Sequence, residues 1–208
     1  MSEAFTNPIR PLPQDMASRI DLAAQVFADN GLDATRIDDL AKATGIPRAT
    51  LYYYFPGKEH ILAHLLSLTL RQMTAKLAAA AAEPGTGRER LARLVREHLV
   101  FIGAHGPTYR LLFAELGRAA SLVDIAAGVD LAIVSPIRQA LRDGQDDGSL
   151  DVADMSAAAA VVYGAVLVTG MQHLLVGGDR DLEDRAAALV EVIMRGIGTP
   201  IARRGRRS

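Results

Sequence analysis

Apolar residues recur at three- and four-residue intervals from Met16 to Ile197, and nowhere do apolar and polar residues alternate for the length of a strand. A period near 3.6 gathers such residues on one face of a helix, whereas a half-buried strand needs a period of two. The 208-residue chain is therefore read as all-α. Met16, Ile20, Ala23, Ala24 and Phe27 share a face of a first helix, which Asp15 caps and Gly31 ends. TRID, residues 35–38, has capping-box spacing and opens a short helix through Ile37, Leu40 and Ala41 that stops at Gly45. After a turn of Gly45, Ile46 and Pro47, a third helix runs through RATLYYYF until Pro56 and Gly57 break it. A long helix follows from Lys58 toward Ala82, and further helices are expected at about 87–104, 107–119, 121–143, 152–176 and 181–197.

Half of the residues are hydrophobic, enough for a sizeable core. The chain has no cysteine, which excludes disulfides, thiolate metal sites and a cysteine nucleophile. Residues 1–14, with Pro8, Pro11 and Pro13, lack the continuous apolar core of a signal peptide; they read as a flexible arm, and a cytoplasmic protein is expected. Residues 155–178 carry no charge and approach the ~20 residues of a membrane-spanning helix. Ser156, Thr169, Gln172 and His173 interrupt them, however, and no Lys or Arg cluster flanks them closely. This stretch is read as a buried helix, apolar on all sides, with no membrane partner.

The formal net charge is −1. Residues 1–60 hold six basic and eight acidic side chains, residues 61–199 hold thirteen and sixteen, and residues 200–208 hold four arginines. No domain is basic as a whole, so any contact with nucleic acid must come from a local patch.

Such a patch lies in GIPRATLYYYFPGKEHIL, residues 45–62, where three tyrosines and a phenylalanine stand in a row and no acid occurs between Leu40 and Lys58. Two short helices joined by a tight turn containing Gly make a helix-turn-helix. At ~100° per residue, Leu51 and Phe55 project together toward a core, while Ala49 and Tyr53 point nearly opposite. Thr50, Tyr52 and Tyr54 fall on the flanks, where a hydroxyl can meet solvent, backbone or a phosphate oxygen. Ala49 allows close approach to bases and contact with a thymine methyl, and Arg48 can reach guanine O6 and N7 or a phosphate. Lys58 adds a positive charge at the start of the next helix.

Residues 15 to about 66 resemble the DNA-binding domain of the TetR family of transcriptional regulators. The likeness rests on Phe27 to Gly31, Leu40–Ala41, Gly45–Ile46, Thr50–Leu51–Tyr52, Tyr54–Phe55 and Lys58–Glu59, in that order and spacing. The resemblance implies a nine-helix, dimeric, ligand-responsive regulator, a repressor of a palindromic double-stranded operator. It divides the chain into an arm (1–14), a helix-turn-helix domain (15–60), an effector-binding and dimerisation domain (61–199) and a basic tail (200–208). It implies that Arg48, Ala49, Thr50, Tyr52, Tyr53, Tyr54 and Lys58 approach DNA. The sequence departs from the family at Arg36, where a second threonine is usual, and at Asp38, where a basic residue is frequent. Arg36 is the replacement expected to meet phosphate. Pro47 and Ala49 stand where Ser and Gly are common, so the operator cannot be read from relatives.

In the rest of the chain, Leu182, Ala186, Leu189, Val190, Ile193 and Ile197 form a stripe on the last helix. With Ala157, Ala160, Gly164 and Ala165 on the helix before it, they suit a two-fold interface. By family layout, Phe101, His105, Tyr109, Phe113, Tyr163, Leu167 and Met171 are the candidates to face a hydrophobic or aromatic effector. His60 and His64 are one turn apart but lack supporting ligands, and no metal or cofactor is expected. Neither a nucleophile elbow nor a phosphate loop is present, and the chain is not read as an enzyme. The competing reading is a helical small-molecule binding protein or enzyme on the same fold, without DNA recognition.

Overall fold

A computed structural model describes residues 10–115, 128–176 and 181–197. Every regular element among them is helical: α1 Gln14–Ile20, α2 Ala23–Ala34, α3 Ile37–Thr44, α4 Arg48–Tyr54, α5 Lys58–Ala82, α6 Gly87–Ala104, α7 Gly106–Glu115, α8 Ser135–Asp146, α9 Met155–Val176 and α10 Leu182–Ile197. A π-helical turn, Asp130–Val134, leads into α8. The described residues thus hold ten α-helices where nine were expected, because the predicted first helix divides at Asp21 and Leu22. There the Leu22 N–H donates to the Arg19 carbonyl at 3.1 Å, a tighter closure that buries Ile20 and Ala23 while leaving Leu22 exposed. Parts of the expected helices 107–119 and 121–143, most of the amino-terminal arm and the arginine tail lie outside the described residues.

Two caps differ from expectation. Asp15 sits inside the first turn of α1, and it is the Pro13 carbonyl that accepts from the Met16 and Ala17 N–H groups, at 3.0 and 2.9 Å. The box expected over residues 35–38 is displaced by one: Arg36 is the N-cap of α3, and its N–H donates to Asp39 Oδ2 at 3.0 Å. The Thr35 hydroxyl instead donates back to the Gly31 carbonyl at 2.6 Å. Thr35 is buried and closes α2, which is kinked where Gly31 takes φ +74°.

Packing divides the chain into two compact units, one of residues up to Gln72 together with Ala104–Ala126, the other of Met73–Gly103 together with residues from Ala127 onward. In the first, Met16, Ile20, Phe27, Leu40, Ile46, Leu51, Phe55, Ile61 and Leu65 close one core with Leu111 of α7. Helix α7 packs along α2, and Arg110 Nη2 reaches Gln25 Oε1 at 3.4 Å. Emptying a ring position in such a core costs about 3–5 kcal/mol.

In the second unit, α6 and the end of α8 touch backbone to backbone: a Cβ on Gly87 would lie 1.9 Å from the Gly144 nitrogen. The turn after α8 then caps α6, with Asp147 Oδ2 accepting from the Gly87 N–H at 2.7 Å and Ser149 Oγ from the Arg88 N–H at 3.1 Å. Helix α9 is long and apolar enough to cross a membrane by length and composition. It is not buried on all sides, as its composition suggested. Ala158, Ala159, Val162, Val166 and Gly170 face inward. Ala157, Ala160, Val161 and Val168 face outward, because the described residues pack against only one side of it. The α10 stripe also divides: Ala186 and Ile193 belong to their own unit's core, Leu182, Leu189 and Val190 are half-buried, and the large apolar side chain left exposed among the described residues of α10 is Val192. The Ile197 side chain lies outside the described residues.

Candidate nucleic-acid interface

Three features fix α4. Leu51 and Phe55 are 1 % exposed and root it in the first core. Gly45 takes φ +64°, a left-handed conformation that reverses the chain after α3, and Ile46 plugs into the core beside it. Arg19 then braces the turn, its Nε donating to the Thr44 carbonyl at 3.0 Å and its Nη2 to the Gly45 carbonyl. The Thr44 hydroxyl donates to the Leu40 carbonyl at 2.7 Å and accepts from the Ile46 N–H at 3.2 Å, so the buried polar groups of the turn are satisfied locally.

With one face anchored, the opposite face is exposed. Tyr53 is 53 % exposed and Tyr52 45 %, Ala49 and Arg48 are exposed, and Thr50 is half-buried on the flank. Tyr54 is the partly buried member of the trio, packed on the core with its ring edge-on to Tyr53 at 5.0 Å between centroids. The surface carries small, hydroxylic and cationic groups, the mixture that meets phosphates and base edges.

Its charges are already engaged with other groups. Arg48 Nη1 lies 3.2 Å from Asp38 Oδ1, and the guanidinium carbon sits 5.6 Å from the Tyr52 ring centroid. Lys58 Nζ donates to the carbonyls of Asp33 and Thr35, each at 2.9 Å, closing the end of α2. Arg36 is exposed at the start of α3. Arg10, which the sequence reading did not single out, stands 4.1 Å above the Tyr53 ring. Two prolines that aim the segment into α1 were the available signal. The Asp38–Arg48 pair, ten residues apart, required the turn to bring its members together.

The candidate effector residues fall in both units. Phe101 is buried in the second, where Tyr163, Leu167 and Met171 are half-buried on α9. The Tyr163 ring lies nearly parallel to His98, 6.2 Å away. Burial drives the His98 pKa down to about 3, which keeps the imidazole neutral. In the first unit, Tyr109 is buried and Phe113 half-buried, with rings 6.1 Å apart on α7. His105 lines a cavity of about 300 Å³ with Asp21, Thr69, Gln72 and Thr108.

The sequence profile of bacterial regulatory proteins of the tetR family matches residues 20–65, the span from α1 to the first turns of α5. The fatty acid metabolism regulator protein of Bacillus subtilis is 24 % identical over 183 residues, 86 % of this chain and 93 % of that one. Among solved structures, the ketosteroid transcriptional regulator KstR2 of Mycobacterium tuberculosis superposes with a TM-score of 0.76 at 22 % identity, covering 91 % of this chain and 98 % of that one. The regulator FadR of Bacillus subtilis, in complex with stearoyl-CoA, gives a TM-score of 0.72 at 22 % identity, covering 87 % and 98 %.

Proposed function

We propose that the chain, whose residues 20–65 match the tetR family of bacterial regulatory proteins, is a cytoplasmic one-component repressor that binds a palindromic operator as a homodimer and leaves it when a hydrophobic ligand binds. The observation that carries this reading is the polarity of α4: Leu51 and Phe55 hold one face in the core while Ala49, Tyr52 and Tyr53 are presented outward. Arg48, Ala49 and Thr50 are proposed to approach bases, and Arg36, Tyr52, Tyr53, Tyr54 and Lys58 the phosphates. On DNA, a base edge competes with Asp38 for Arg48.

The uncovered apolar stripe of α9, with Val192 of α10, supports pairing with a second copy. A group of exposed apolar side chains of that kind marks an interaction surface. Two copies then set their recognition helices one helical turn of DNA, ~34 Å, or a multiple of it apart.

Relatives named for fatty acid and ketosteroid regulation, one of them solved with stearoyl-CoA, favour a lipid-derived effector. Phe101, Tyr163, Leu167 and Met171 offer it apolar contact in the second unit. In the first, Tyr109 and Phe113 lie on α7 and His105 in the turn just before it, and α7 packs on α2, so a ligand that shifts α7 also pushes on the frame of α4. By linkage, a ligand that disfavours the DNA-binding conformation weakens the operator complex by the same coupling energy by which DNA weakens ligand binding. A footprint on DNA adjoining the protein's own gene, repeated with long-chain acyl-CoA, tests the reading. An inverted-repeat footprint that fades as ligand is added is expected. No protection by a folded protein would overturn the proposal.

A further inference from the structure

We infer that Arg10 is a further DNA contact, a phosphate-binding arginine delivered by a stiff arm and held beside the recognition helix by the ring of Tyr53. The inference rests on the operator-binding reading above. Arg10 precedes Pro11 and Leu12 precedes Pro13, and a following proline disfavours the helical conformation at both. Pro13 itself is extended, at φ −55° and ψ 148°, and its carbonyl is tied to the first turn of α1. Leu12 packs against the same core that holds Leu51 and Phe55. The segment from Arg10 to α1 is therefore rooted at Leu12 and given direction by two prolines.

Its end is aimed as well as anchored. The Arg10 guanidinium carbon lies 4.1 Å from the centroid of the Tyr53 ring, and Tyr53 stands on the outward face of α4. A guanidinium over a ring uses its flat face for that contact, while its five N–H donors lie in the plane and point sideways. Planar, bidentate donation suits a phosphate. Arg48, the other arginine at this face, is already paired with Asp38. Arg10 thus adds to the reading face a positive charge that comes from outside the helix-turn-helix.

The test is operator affinity across a salt series for the full-length wild type, Arg10→Ala and Arg10→Lys, with thermal melts to confirm equal folding. Each phosphate neutralised contributes roughly 0.9 to the slope of log affinity against log salt, so Arg10→Ala lowers the slope by about two for a dimer. Nonspecific DNA loses affinity in the same proportion, and Arg10→Lys restores the slope. Weaker binding with an unchanged slope would make Arg10 a prop for Tyr53, and tighter binding would make it a cover; either overturns the inference. A wild type that binds no DNA overturns this inference and the operator reading together, whereas wild-type binding with an Arg10→Ala slope equal to it overturns this inference alone.

Discussion

Arg48 and Asp38 show how one ion pair sets the charge of a surface. Both side chains are more than half exposed, so their attraction adds little to stability. Its consequence is electrostatic: a carboxylate sits where DNA would bring phosphates. Asp38→Asn is expected to leave the melting temperature unchanged and to raise operator affinity, whereas Arg48→Ala weakens binding by about 1–3 kcal/mol, both measured by titration of labelled duplex. His98 gives a second expectation at this scale. Its folded pKa, about 3, lies below the ordinary histidine value of 6.5, so between those limits the unfolded chain binds more protons. Stability is fully present above pH 6.5 and falls by roughly 1 kcal/mol for each pH unit below it. Melts from pH 7.5 to 4.5 should show a steeper decline for the wild type than for His98→Leu; parallel curves would contradict the neutral, buried imidazole. The outward Tyr53 and inward Leu51 were legible from the sequence because 100° per residue settles which side each takes. The Arg48 partner was not, since it depends on how a three-residue turn orients two helices.

Turns and caps decide how the elements meet. Gly45 stands at φ +64°, and an added Cβ would come within 2.9 Å of Arg19 Nη2, the group that braces the same turn. Gly45→Ala is therefore expected to cost about 1–2 kcal/mol for the left-handed conformation alone, read as a lower denaturation midpoint, with operator affinity falling as α4 loses its angle. The long helix Lys58–Ala82 was readable because EPGTG ends it and its apolar positions keep the helical period. The break at Asp21–Leu22 was not, because the apolar spacing runs straight through it and only packing of Ile20 and Ala23 requires it. Thr35 was misassigned for a related reason. Its hydroxyl had two helix ends within reach, and the one at Gly31 took it.

For the molecule as a whole, α9 had looked like a core helix because composition reports how apolar a segment is and says nothing of how many neighbours it has. Its outward stripe, with Val161 62 % exposed and Val192 of α10 68 %, is the surface expected to close on a second copy. Val161→Glu combined with Val192→Glu should leave the helical content intact, shift the protein to a monomer in sedimentation, and remove tight operator binding, since each recognition helix would then bind without the other. The most direct test of the central claim is selection of the folded protein against a random pool of duplex DNA. The account predicts enrichment of an inverted repeat whose half-sites are centred a whole number of helical turns apart, with Tyr53→Ala failing to enrich it. A folded, dimeric protein that enriches no sequence would contradict it.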